Sequence, residues 1–124
     1  MNQERDYLAN AVLDCPDLLS RVDNDRDLLR ELIEIFKAEF PELLNQLKGA
    51  VVRREMKSAE NTCHSLKGML SGLSGLRASA VAANLERMCR DADPLEFSVS
   101  LELLEREVGK LLSELDIFAI EVQP

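Results

Sequence analysis

Apolar residues between Leu28 and Val51 recur at steps of three and four, through Leu28, Leu29, Leu32, Ile33, Phe36, Phe40, Leu43, Leu44, Leu47 and Val51. That spacing lays one apolar stripe along a helix, and a strand would need period two. Asn24 or Asp25 is the expected N-cap, because a short acceptor side chain satisfies free N–H groups, and Asp27 adds negative charge to the first turn. Pro41 lacks the N–H that bonds one turn back, so the segment is expected to kink there, or else to be two helices meeting at Pro41. It should end between Val52 and Glu55, where neither glycine nor proline marks the turn.

Three further stripes follow. Ala59, Cys63, Leu66, Leu70 and Leu73 predict a helix over Met56–Leu73, and Ala78, Val81, Leu85, Met88 and Cys89 predict another over Leu76–Ala92. The last stripe runs Leu101, Leu104, Val108, Leu111, Leu115, Phe118 and Val122, and Asp93-Pro94-Leu95-Glu96 has the form of an N-cap, N1 proline and N3 glutamate ahead of it. Upstream, a short helix is expected around Tyr7–Leu13, followed by a turn at Asp14-Cys15-Pro16. Four amphipathic helices on short loops imply an all-α, antiparallel four-helix bundle with a short N-terminal helical extension. The 124 residues fit one domain over 1–124, with a core at about 24–119.

Charge and composition then exclude function classes. Twenty-three acidic against 15 basic residues leave a net charge of −8, which repels phosphate backbones and anionic lipid, so nucleic-acid binding and membrane insertion are not expected. The chain shows no run of 18 apolar residues and no cationic leader before an apolar stretch, which leads us to expect a cytoplasmic protein. Cys15, Cys63 and Cys89 form no CxxC, so reduced thiols are expected. No phosphate-binding glycine loop is present, and Asp23, Asp25, Asp27 and Glu34 mimic a calcium loop only until Leu28 takes the place of its glycine. No bound cofactor, no metal and no kinase active site are expected.

One histidine remains. Successive helical residues are about 100° apart, so with Cys63 in the core stripe His64 points outward. The same face carries Lys57, Glu60, Asn61, Lys67, Gly68, Ser71 and Gly75. Cys63 faces the core about 100° away, so the two are not expected to make a metal pair. A mid-helix glycine costs about 1 kcal/mol relative to alanine, so Gly68, one turn beyond the histidine, suggests that something needs close access. Lys67 is a surface neighbour of His64 at i+3. An exposed imidazole, a nearby cation and a missing side chain suit a nucleophile that accepts a phosphoryl group.

The segment Cys63-His64-Ser65-Leu66-Lys67-Gly68 resembles the A-H-[ST]-L-K-G core of the histidine-containing phosphotransfer (HPt) domains, with Leu73 and Gly75 near that family's following L-G pair. Leu18-Leu19-Ser20-Arg21-Val22 and Asp25 to Phe40 resemble its opening helix and Pro41-Glu42-Leu43-Leu44 its continuation, so the likeness covers about residues 13–115. The resemblance implies a four-helix bundle that relays phosphate between aspartates of response-regulator receiver domains. His64 would be the phosphoacceptor, Lys67 would assist the phosphoryl group, and Gly68 would leave room for the receiver's active site. Glu86, twenty-two positions on, would lie beside the imidazole, with Arg90 one turn further. Asn61, Ser71 and Gly75 would join Glu86 and Arg90 in docking receivers or orienting the ring, together with neighbouring residues of the first long helix. Magnesium would come with the receiver, a hybrid sensor histidine kinase would be a further partner, and a monomer is expected. Ser74 stands where the family has the glycine of L-G, so Gly72 or Gly75 is expected to make that turn, and Met69 and Leu70 replace a usual small pair. The alternative is a pseudo-HPt module that docks receivers without taking phosphate.

Overall fold

The computed structural model describes residues 11–92 and 96–121. Among them are five helices: α1 (Cys15–Arg21), α2 (Arg26–Val52), α3 (Met56–Gly72), α4 (Leu76–Arg90) and α5 (Phe97–Glu121). No strand occurs among the described residues, and no helix there is long and apolar enough to cross a membrane.

Helices α2 to α5 form the antiparallel four-helix bundle. Three-residue loops reverse the chain between α2 and α3 and again between α3 and α4. Helix α5 runs opposite to α2: Lys37 pairs with Asp116 at 3.1 Å, whereas Lys48, farther along α2, pairs with Glu105, earlier in α5, at 3.2 Å. The stripes meet in one core, in which Leu29, Phe36, Leu47, Leu66, Leu70, Leu85, Leu104, Leu111 and Leu115 are fully buried. Each such side chain contributes about 1.5–3 kcal/mol relative to exposure. Helix α2 passes through Pro41 as one element, with the proline on its exposed side where water can meet the carbonyl that the ring leaves without a partner, so the alternative of two helices is set aside.

The N-terminal extension differs from expectation. Asp14-Cys15-Pro16 is not a turn but the start of α1: the Asp14 carboxylate accepts the Asp17 N–H at 3.2 Å, and Pro16 sits in the first turn, where its missing N–H has no helical acceptor. Ala11 to Asp14 are not helical, and Tyr7 to Asn10 lie outside the described residues. So do the expected cap residues Asp93 to Leu95, and Val122. Helix α1 buries Leu18, and Val22, which caps its C-terminus, is buried in the same core.

Ser74 takes the left-handed conformation (φ 57°), whereas no glycine among the described residues has positive φ. Its N–H donates to the Ser71 carbonyl at 2.9 Å and the next N–H, of Gly75, reaches back to Leu70 at 3.0 Å, the two bonds of a Schellman cap. The turn expected of Gly72 or Gly75 is therefore made by the serine itself. Its hydroxyl donates to Asp17 Oδ2 at 2.7 Å and its carbonyl accepts the Asp14 N–H at 2.9 Å, which ties α1 to the α3–α4 turn.

Candidate functional site

Helices α3 and α4 approach each other through small residues, with Ala59, Cys63, Ala78, Ala82 and Cys89 all buried and the two sulfurs 4.0 Å apart. With Cys63 turned inward, the His64 side chain stands 71% exposed. Close packing lets α4 put a carboxylate under that ring. Glu86 is only 8% exposed in its side chain, and its Oε1 and Oε2 lie 3.4 and 3.3 Å from His64 Nδ1.

Glu86 is surrounded by cationic groups. Lys67 Nζ lies 3.1 Å from Oε2, and Arg90 Nη2 donates to Oε1 at 3.2 Å. Arg90 Nε in turn donates to Glu60 Oε2 at 3.0 Å, and Glu60 Oε1 faces Lys57 at 3.5 Å. The hydrogen bond from Lys67, above all, holds the Glu86 carboxyl below its ordinary range, with the His64 bond acting in the same direction against the opposing effect of burial. Arg90 lowers Glu60 in the same way, and Glu60 raises Arg90.

An ionised carboxylate only accepts hydrogen bonds, so Nδ1 must carry the ring proton, and Nε2, on the exposed imidazole, keeps the lone pair. A neutral imidazole in that tautomer is a nucleophile at Nε2 and needs no separate base.

Gly68 and Gly72 follow on the exposed side of α3, and a Cβ added to either would meet nothing within 4 Å. Nothing in the chain's own packing therefore requires glycine at Gly68. Beside it a shallow groove of about 200 Å³ runs between α2 (Leu32, Ile35, Phe36, Glu39) and the end of α3 (Gly68, Met69, Gly72) with its cap residue Leu73. Ile35, 44% exposed, stands at this groove.

Asn61 is exposed one turn before His64. Ser71 is exposed too, and its hydroxyl shares a 2.7 Å hydrogen bond with that of Ser79 on α4. Gly75 is not on this face. It is buried at the start of α4, where a Cβ would stand 2.6 Å from Leu111 Cδ2, so its glycine serves packing against α5. Sequence reasoning placed Glu60 on the His64 face without its link to Arg90, and it expected neighbouring residues of the first long helix at the docking surface without naming Leu32, Ile35, Phe36 or Glu39. Glu60 lies one turn before His64, and that i, i−4 spacing was the available signal.

Compared with known protein families, residues 31–116 match the family model of the Hpt domain. No curated protein and no solved structure gives a significant match to the chain.

Proposed function

The chain belongs to the Hpt domain family, phosphocarrier modules that serve phosphorelays with response-regulator receiver domains as partners, and from that premise we propose that His64 is its phosphoacceptor. The observation that carries the reading is the exposed His64 ring with Nδ1 turned to the buried Glu86 carboxylate. In the proposed step the Nε2 lone pair attacks the phosphorus of a receiver's aspartyl phosphate. The P–O bond breaks, an N–P bond forms, and the receiver's carboxylate leaves with its electron pair. No proton needs to move, because the ring proton stays on Nδ1 facing Glu86. The reverse step delivers the phosphoryl group to a second receiver.

Phosphoryl transfer depends on positioning and charge compensation more than on covalent help from the protein. Lys67, beside the ring, offsets charge on the arriving group, Arg90 holds Glu86, and the open surface at Gly68 admits the receiver's acidic active site with its magnesium ion. Asn61 and Ser71 border the approach, and the α2–α3 groove takes an apolar side chain from the receiver. An interface near or below about 1,200 Å² suits so transient a contact. The chain acts as a cytoplasmic monomer without kinase chemistry, between a hybrid sensor histidine kinase and a response regulator.

The test mixes the chain with a phosphorylated receiver domain and magnesium and follows acid-labile phosphate on wild type and His64→Gln. Label on wild type alone supports the carrier reading. Label on neither, across several receivers, replaces it with a docking module that takes no phosphate.

A further inference from the structure

We infer that the negative charge of Glu86 biases the phosphoryl group away from His64 and toward the receiver, making the chain a pass-through carrier and not a store. The inference rests on the phosphocarrier reading above. Glu86 is one of three buried polar or charged residues among those described, with Ser74 and Glu107. Orienting a ring does not in itself require a charge, since a neutral carbonyl also accepts an Nδ1–H.

The charge has two consequences once a phosphoryl group sits on Nε2. It is a second anionic group on the ring that the Glu86 carboxylate already faces. The groups facing Glu86 are His64 from α3, Lys67 from α3 and Arg90 from α4, and Arg90 is already bonded to Glu60. Lys67, 3.1 Å from Oε2, is thus the cation that carboxylate and phosphoryl group must share. The carboxylate also keeps the proton on Nδ1 of the phosphorylated ring. When the N–P bond breaks, the electron pair returns to Nε2 and the ring departs as neutral imidazole, a far better leaving group than imidazolate. The phosphorus forms its new bond to the receiver's aspartate oxygen, and the Nδ1 proton is unchanged throughout.

Charge and positioning are separable by experiment. A group that only positions the ring speeds transfer in both directions equally and leaves the equilibrium ratio alone, whereas a charge felt by the phosphorylated state changes the ratio. Wild type, Glu86→Gln and Lys67→Gln are loaded on His64 with potassium phosphoramidate, and hydrolysis of each is timed. Each is then mixed with a receiver domain and magnesium, and the ratio of phosphorylated chain to phosphorylated receiver is read from both directions. Glu86→Gln should lengthen the lifetime and raise the ratio on the order of tenfold, the equivalent of one pK unit of differential interaction. Lys67→Gln, which removes the shared cation from a position about one-third exposed, should lower it. An equal or lower ratio in Glu86→Gln, or, if that variant does not fold, an unchanged ratio in Lys67→Gln, overturns the inference and leaves the carrier function standing. Failure of wild-type His64 to take label overturns the carrier reading itself, and the inference with it.

Discussion

Lys67 Nζ and Glu86 Oε2 stand 3.1 Å apart across the contact of α3 with α4, so the cation one turn beyond His64 is engaged before any phosphoryl group arrives. Removing it leaves Glu86 its contacts with Arg90 and His64. Lys67→Ala should therefore stay folded, with a stability change within about 1 kcal/mol, while phosphoryl transfer slows about tenfold to a hundredfold, the equivalent of one charge-assisted hydrogen bond. Stopped mixing with a phosphorylated receiver measures the rate and thermal unfolding the stability. An unchanged rate removes Lys67 from the mechanism.

Gly68 and Gly75 should respond oppositely to the same added methyl group. At Gly68 it enters open space on a helix, so Gly68→Ala should raise stability by up to about 1 kcal/mol, and the bulkier Gly68→Gln should slow transfer by obstructing the receiver. At Gly75 it meets Leu111 Cδ2 at 2.6 Å, so Gly75→Ala should lose about 1–3 kcal/mol. Urea unfolding of the two alanine variants, side by side, decides the matter.

Acid should unfold the protein partly through Glu86. Its carboxyl titrates below the ordinary value of 4.5 in the folded state, so above that value the contribution to stability is complete. As pH falls the unfolded chain binds the proton first, and the contribution is lost through the folded-state titration. Asp17, lowered first by Arg21 and then by Ser74, acts with the same sign. Between pH 5 and 3 wild type should lose stability more steeply than Glu86→Gln, as read by denaturant midpoints.

Ser74 combines a left-handed backbone with a hydroxyl bond to Asp17, and two substitutions separate them. Ser74→Ala keeps the unfavourable φ and loses the bond, whereas Ser74→Gly loses the bond but removes a conformational cost of about 1–2 kcal/mol. The alanine variant should be the less stable of the two. The reverse order in thermal unfolding would mean that chain entropy outweighs the left-handed cost.

Cys63 and Cys89 should resist thiol reagents in the folded protein. Both are buried, and burial is the largest of the effects that push their thiols up, which disfavours the reactive thiolate. Cys15 is the most accessible of the three. Iodoacetamide followed by mass spectrometry should modify Cys15 first, and the buried pair only at the rate at which the bundle opens.

Periodicity along the chain determined the four bundle helices and most of the side chains they bury, because a helix with one apolar stripe has one low-energy way to face a core, although Leu28 at the edge of its stripe is exposed. The same geometry turned His64 outward once Cys63 was placed inward. It failed where the helix stops. Extending the angle of about 100° per residue past Gly72 put Gly75 on the His64 face, yet the chain leaves α3 through a left-handed Ser74 and Gly75 is buried against Leu111. Helix ends were equally hard to read, because Asp23, Arg54, Ser74 and Ala92 take positive φ where glycine would have announced the turn. Asp14-Cys15-Pro16 misled for a related reason, since cap residues and an early proline suit a turn and the first turn of a helix alike.

The site divides in the same way. His64, Lys67 and Gly68 lie within one turn of helix, so sequence alone brings them together. Glu86 comes to His64 from a different helix, twenty-two residues away, and the resemblance to a family, not the spacing, suggested it. Whether such residues meet depends on how closely two helices approach. Here the small residues between α3 and α4 set that distance, through packing that no single helix contains.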